Sequence, residues 1–269
     1  MRHYYKIDLE LALIEVQNLN VYSDKKTLLE NITLTLDKNR SLGIIGKSGA
    51  GKSLFAKSLI YLLDKSLAIK ADKLSVLGAL ILQLNKKDLR SLRKKVGFIF
   101  QDARMSFHSA FNMGDIFEMH LKESHDSSKK ARKKLAFLWF ERLNIKDKEL
   151  IWHSFIHQLS AGTAMRVQIA LALSLGAEIL LCDEITSSLD EANTKNIIEI
   201  FKDLKMQKSL VLISHDLGFI EALSDEIAVF EEGKIIEKNN AKDFFTTPKS
   251  AYSKELLKIY KDSYAPSHS

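Results

Sequence analysis

The chain has 269 residues, 40 Lys and Arg against 34 Asp and Glu, a net charge of +6, and a hydrophobic fraction of 46%. That length suits one large domain or two small ones, and the apolar fraction is ordinary for a globular chain with a sizeable core. A single cysteine, Cys182, excludes disulfides within the chain and any all-cysteine metal cluster. No uninterrupted apolar run approaches the roughly 18 residues of a membrane-spanning helix. Met1 to Glu10 is charged and reads as no signal peptide. Lysine usage alone accounts for the positive balance, with nucleic acid or an anionic membrane surface as the alternatives.

In chain order, Leu13 to Val16 and Leu28 to Leu36 alternate apolar and polar residues and predict two antiparallel strands. Tyr22, between them, is either a strand-edge tyrosine or an aromatic able to stack on a flat heterocycle. Ser41 to Ile45 predicts a buried strand, and Leu54 to Leu63 an amphipathic helix. Between them, Gly46-Lys47-Ser48-Gly49-Ala50-Gly51-Lys52-Ser53 fits the phosphate-binding pattern G-x-x-x-x-G-K-[ST]. Chance supplies that pattern in about one chain per hundred of this length, so the rest of the chain has to support it. Its chemistry is specific. Glycines let the backbone N–H groups curl toward a phosphate chain, Lys52 can reach the β- and γ-phosphates, and Ser53 can ligate Mg²⁺.

Val96 to Phe100 predicts a buried strand ending in Gln101-Asp102, after a charged helix at Asp88 to Lys95. Gln101 is either solvent-exposed or, at the C-terminal end of a parallel strand, a ligand for Mg²⁺ or water. From Ala103 to Leu159 helical patterning takes over, clearest at Lys129 to Leu143. The basic run Lys129, Lys130, Arg132, Lys133 and Lys134 predicts a solvated face, with lipid or partner contact as the minority reading. His153 and His157 have the i, i+4 spacing of a helical metal pair but no evident third ligand. Ser160 caps a helix predicted over Thr163 to Leu175. Ile179 to Cys182 is an apolar strand that ends in Asp183-Glu184. Adjacent carboxylates repel, which favours a cation beside them, and the pair suits Mg²⁺ binding and water activation. Leu189-Asp190 precedes a helix at about Glu191 to Lys205. Ser209 to Ile213 predicts a strand ending in Ser214-His215-Asp216, where His215 can reach a γ-phosphate. Ile227 to Glu231 and Lys234 to Glu237 predict a closing hairpin, and the tail from Asn240 is helical, with Pro248 near a helix start.

The order of these motifs resembles the ATP-binding subunits of ABC transporters over the whole chain, and in particular their peptide/nickel importer branch. Gln101 matches the family's Q-loop, within Phe100-Gln101-Asp102-Ala103-Arg104 followed by Ser106-Phe107. Leu159-Ser160-Ala161-Gly162-Thr163 matches the signature L-S-G-G-Q, and Ile179 to Glu184 the Walker B motif. Ser187-Ser188-Leu189-Asp190 matches the D-loop, His215 the switch histidine, and Thr247 to Leu257 the branch's C-terminal proline–tyrosine segment. The short length, the Lys52-Ser53-Leu54 junction, Ser106-Phe107 and the missing C-terminal cysteine cluster make it most similar to the first nickel-import ATPase subunit.

The resemblance implies an α/β fold: a P-loop NTPase (ABC ATPase) core with an N-terminal antiparallel β subdomain and an inserted helical subdomain. It implies a single ATP-binding domain over 1–269, with the helical subdomain at about 102–165 and the tail at about 240–269. It implies ATP and Mg²⁺, with Tyr22 on adenine, Gly46 to Ser53 on the phosphates, and Ser53, Gln101 and Asp183 holding the metal. Glu184 is then the general base and His215 its helper. Ser160, Ala161, Gly162, Thr163 and Asp190 are expected to act across a head-to-tail dimer. The implied partners are a second ATPase subunit (heterodimer, homodimer possible), two transmembrane permeases and an extracytoplasmic solute-binding protein, with no nucleic acid. The implied place is the cytoplasmic face of the cell membrane. The expected cargo is nickel or a nickel chelate, with di- or oligopeptides as the alternative. A soluble ABC ATPase acting on nucleic acid or ribosomes is the alternative of another class. Two departures stand out, Ala161 and Thr163 in the signature, and Ile185 where the family has proline.

Overall fold

The computed structural model describes residues 12–124, 127–187 and 189–264. Met1 to Glu10 and Ser188 therefore lie outside the described residues. The chain opens with β1 (Ile14–Tyr22) and β2 (Thr27–Leu36), paired antiparallel with Ile14 opposite Leu36. On β2, Ile32, Leu34 and Leu36 are buried while Thr33 and Thr35 between them are exposed, the period of a half-buried strand. Then follow β3 (Ser41–Gly46), α1 (Lys52–Leu59), β4 (Ala68–Lys70), β5 (Lys73–Val76) and β6 (Ala79–Leu80). Strands β4 and β5 both pair with β1, so one sheet runs β2-β1-β5-β6 with β4 beside it, and its pairings are antiparallel.

Helix α2 (Lys86–Lys95) is capped by the Asn85 side chain and leads into β7 (Val96–Ile99). Four helices come next: α3 (Met113–Lys122), α4 (Lys129–Arg142), α5 (Lys148–His153) and α6 (Ala161–Ser174). The chain then alternates through β8 (Ile179–Asp183), α7 (Glu191–Lys205), β9 (Ser209–Ile213), α8 (Leu217–Leu223) and β10 (Glu226–Glu231). It closes with β11 (Lys234–Asn240), α9 (Ala241–Thr246) and α10 (Ala251–Tyr264). The second sheet has the order β11-β10-β3-β9-β8-β7 and is parallel except for the β10–β11 hairpin. Parallel strands between covering layers must be apolar on both faces, and every residue of β3, β8 and β9 is buried. This P-loop ABC-ATPase architecture, with its N-terminal β subdomain and helical insertions, is the fold that the motifs imply.

One consequence of the strand order controls the site. The C-terminal ends of β3, β7, β8 and β9 share one edge, so Gly46, Gln101, Asp183-Glu184 and His215 leave the sheet side by side. The helices after β7 carry their own aromatic core, in which Phe117 and Phe140 meet edge-on at 5.3 Å and Phe137 meets Trp152 at 5.6 Å. Two of the five residues of the basic run on α4 are engaged there. Arg132 pairs with Glu118 at 2.7 Å and Lys133 with Glu149 at 2.7 Å, while Lys129, Lys130 and Lys134 face solvent.

His153 and His157 do not form a helical pair. His153 ends α5, Ser154 is extended, and His157 lies in a separate turn at Ile156–Gln158, stacked on Phe155. Among the described residues no His, Cys, Asp and Glu group is arranged to hold a metal ion by itself.

Helix α6 packs on β7 through Gly97, where an added Cβ would lie 2.7 Å from Ala172 Cβ and 3.0 Å from Leu180 Cδ2. Overpacking of this kind costs about 1–3 kcal/mol. Gly97→Ala should lower the urea midpoint accordingly without changing the slope of the transition.

Candidate functional site

The phosphate-loop sequence is bent by two contacts that only glycine allows. Gly46 ends β3 at φ +150°, where a Cβ would run into the Phe230 carbonyl, and Gly51 sits at φ +99° with Leu29 Cδ2 2.6 Å from where its Cβ would be. Helix α1 starts immediately after the bend. Its cap, Gly51, offers no side-chain acceptor and its first turn has no acidic residue, so the N-terminal N–H groups keep their partial positive charge for an anion.

Lys52 is 5% exposed, and its ammonium donates to the carbonyls of Gly46 at 2.7 Å and Lys47 at 3.0 Å. It lies 3.9 Å from Glu184 Oε1 and 3.5 Å from His215 Nε2. Burial pushes its pKa below the ordinary lysine value, and the Glu184 and Asp183 carboxylates oppose that shift. Ser53 Oγ donates to Asp183 Oδ1 at 2.7 Å. Glu184 follows β8 in the left-handed region at φ +54°, held there by its N–H on the Ile213 carbonyl. Its Oε1 lies 2.9 Å from His215 Nε2. Gln101 Nε2 donates to Ser187 Oγ at 3.2 Å, and Ser187 Oγ donates to the Glu184 carbonyl at 2.8 Å. A strained backbone at a charged strand end, fixed from three sides, is characteristic of a working site.

Lys52, Ser53, Gln101, Glu184, Ser187 and His215 line one cavity of about 440 Å³ together with Leu28 and the rest of residues 48–54, while Asp183 and Gly46 do not line it. Its oxygens suit Mg²⁺: the Ser53 hydroxyl and the Gln101 amide on its lining, with the Asp183 carboxylate that accepts the Ser53 hydroxyl, are hard oxygen ligands beside the N-terminal N–H groups of α1.

Other sequence-predicted residues lie elsewhere. Tyr22, the last residue of β1, pairs with Thr27 and Ala68 and does not line the cavity, where Leu28 stands instead. Lys47 does not line it either; its ammonium lies over the Tyr252 ring. Ser160, Ala161, Gly162 and Thr163 begin α6 away from it. Ser160 Oγ accepts the Thr163 N–H at 3.2 Å and sits 2.9 Å from the Thr163 hydroxyl. Asp190 caps α7 by accepting the Asn193 N–H at 2.8 Å, and hydrogen bonds from Asn193 hold its carboxyl below the usual range.

Gln168, which the sequence reading passed over, and Arg104, which it named only within the Q-loop string, fasten the segment after β7 to α6. Gln168, buried on α6, accepts the Phe100 N–H at 3.2 Å and donates to Ser106 Oγ at 2.7 Å. Arg104 Nη2 donates to the Leu159 carbonyl at 2.7 Å. A glutamine between Val167 and Ile169 on an apolar helix was the available signal, since a buried amide has to find partners.

The family model described as ABC transporter matches residues 29–187. The dipeptide transport ATP-binding protein DppD of Haemophilus influenzae is 34% identical over 255 residues, covering 92% of this chain and 77% of that protein. The methionine import ATP-binding protein MetN of Helicobacter acinonychis is 33% identical over 250 residues, covering 92% and 73%. Among solved structures, the dimeric ATP-binding cassette MJ0796 bound to ADP and Pi has the same fold, with a TM-score of 0.74 at 22% identity over 85% of this chain and 98% of that one. The cbiO1 structure from Clostridium perfringens has a TM-score of 0.73 at 21% identity over 95% and 96%.

Gln168→Leu should strand the Phe100 N–H and the Ser106 hydroxyl, at a cost of about 1–3 kcal/mol. Urea denaturation should read that loss, and steady-state assays should show a lower ATP turnover than in the parent chain.

Proposed function

This chain belongs to the ABC transporter family as the ATP-hydrolysing subunit of an importer, and on that premise we propose that its system carries short peptides rather than nickel. The observation that carries the proposal is the 34% identity over 92% of the chain to a dipeptide transport ATP-binding protein. The nickel reading rests on chain length and two short junctions, Lys52-Ser53-Leu54 and Ser106-Phe107, and gives way to it. A methionine-type cargo is the second reading, because methionine import ATP-binding proteins match at 31–35% identity. Action on nucleic acid or ribosomes loses ground to these transport relatives.

In the proposed mechanism the α1 N-terminus and the loop N–H groups bind the phosphates of ATP, and Lys52 lies along the β- and γ-phosphates. Ser53, Gln101 and Asp183 would hold Mg²⁺, which supplies positive charge to the phosphate oxygens. Glu184 accepts a proton from the attacking water. His215, 2.9 Å from Glu184 Oε1, orients that carboxylate and reaches toward the γ-phosphate. Tyr22 serves adenine from the end of β1. Ser160 to Thr163 and Asp190 act on the nucleotide held by a partner ATPase, head to tail. Ala161 adds a methyl at the signature, and the Thr163 hydroxyl occupies the Ser160 hydroxyl at 2.9 Å. Both features favour a heterodimer in which the site built on Lys52 is the faster one. Permease subunits dock on the segment after Gln101, where Met105 is 84% exposed and Phe111 42% exposed. A solute-binding protein delivers the cargo from the far side, and the chain works on the cytoplasmic face. Among the described residues no helix is long and apolar enough to cross a membrane.

Cells carrying Lys52→Ala should lose uptake of labelled dipeptide and keep nickel uptake, measured in parallel with labelled methionine. Loss of nickel uptake alone would overturn the cargo assignment. In the purified protein, Glu184→Gln should retain ATP binding while hydrolysis falls about 10²- to 10⁴-fold.

A further inference from the structure

The phosphate loop carries two lysines, and their ammonium groups have different partners. Lys52 is buried against the Gly46 and Lys47 carbonyls. The Lys47 ammonium lies 5.3 Å from the ring centroid of Tyr252, on the first turn of α10. A cation over an aromatic face is held by the ring quadrupole. Lys47 also matters to the loop through its backbone: its carbonyl accepts both the Lys52 ammonium at 3.0 Å and the Ala50 N–H at 3.1 Å. Where Lys47 sits therefore helps to decide where Lys52 sits.

The aromatic side of this contact is built into the fold. Glu237, a buried residue of β11, accepts the N–H of Lys249 at 3.0 Å and of Ser250 at 2.8 Å. Ser250 Oγ accepts the Ser253 N–H at 3.0 Å, with Ser253 fully buried. Further along α10, Leu257 is buried in the main core and Tyr260 donates to Glu221 at 2.8 Å. Strand β11 follows β10, whose Phe230 carbonyl faces Gly46. The start of α10 is thus bolted to the strands that flank the phosphate loop, and Tyr252 is its contact with the loop.

We propose that Tyr252 is a positioning residue for the phosphate loop: its ring holds the Lys47 ammonium on the outer side, so that Lys52 alone faces the phosphates, and it couples docking of α10 to nucleotide occupancy. A loop already held in its binding shape needs less ordering when the phosphates arrive. By linkage, bound nucleotide must then favour the docked helix by the same factor that the docked helix favours nucleotide. The inference requires that the loop binds ATP and is independent of the cargo.

The test uses the full chain, a fluorescent ATP analogue with Mg²⁺, ATPase kinetics, and hydrogen exchange of the amides at 251–262. Tyr252→Leu should weaken nucleotide binding about two- to fivefold, the range that a half-exposed cation–π contact supports. KM for ATP should rise by that factor with kcat changed less. Lys47→Met should do the same, the double variant should lose no more than either single one, and Tyr252→Phe should restore binding. Nucleotide should slow exchange at 251–262 in the parent chain and not in Lys47→Met. Additive losses in the double variant, failure of Tyr252→Phe to restore binding, or exchange at 251–262 indifferent to nucleotide in the parent chain would each overturn the proposal. Should Tyr252→Leu not fold, Lys47→Met carries the test alone, because that side chain is exposed. A parent chain that binds no ATP would refute the ATPase premise itself, a result distinguishable from all of these.

Discussion

Everything at the sheet edge follows from the burial of one ammonium group. Lys52 keeps 5% of its surface exposed, and an isolated buried charge is too costly to persist without partners. Its partners come from several neighbouring pieces of chain. The carbonyls of Gly46 and Lys47 leave β3, His215 follows β9, and Asp183 and Glu184 end and follow β8. Those strands are adjacent in the parallel order β3-β9-β8, so they deliver acceptors and charges to one point. The requirement for glycine at position 46 belongs to the same constraint. The loop can turn over Lys52 only if β3 ends against the Phe230 carbonyl, where no Cβ fits. A polyanion arriving at this edge meets a cation whose position is already set, which is the condition for electrostatic catalysis without reorganisation.

The same edge is tied to the helices after β7 by polar contacts that the apolar core alone would not provide. Gln168 grips Phe100 and Ser106, on either side of Gln101, and Arg104 grips the residue before Ser160. Gln101 itself reaches Ser187, which in turn reaches the Glu184 carbonyl. A displacement of Gln101 is therefore felt in two directions, toward the Glu184 backbone and toward α6. A contiguous network of hydrogen bonds can carry such coupling where packing alone would let elements slide.

The sequence made legible whatever depends on local spacing. The phosphate loop is contiguous, and its glycines and lysine state their conformation within eight residues. Strand-end chemistry was legible too, because apolar runs such as Ile179 to Cys182 stop abruptly at charged or polar residues. The predicted bounds of α7 and β9 coincide with Glu191–Lys205 and Ser209–Ile213. The helix expected to reach Leu63 ends at Leu59, since Tyr61 takes φ +52°, a turn that no apolar periodicity announces. His153 and His157 kept the right spacing in a segment that is not one helix. What Lys47 and Gln168 touch was illegible for a different reason. Their partners, Tyr252 and Phe100, are far away in sequence, so only the folded chain brings them together. The cargo was illegible because no residue of the candidate site addresses it, and short junction motifs cannot substitute for that chemistry.

The cavity around Lys52 is one wall of a site rather than a closed pocket. It presents helix N–H groups, a lysine and a carboxylate on one side, and no residue of the signature segment lines the other. Chemistry that must exclude water needs a second surface. The surface that the proposed mechanism supplies is the start of α6 on a partner ATPase, and in this chain that start is fastened to the segment after Gln101 through Arg104 and Gln168. Whatever draws Ser160 toward a partner's nucleotide must then draw the exposed Met105 and Phe111 segment with it. In the proposed mechanism, closure over ATP and displacement of the segment after Gln101 are then a single movement, because the hydrogen bonds that join that segment to α6 lie within one chain and need no partner to form.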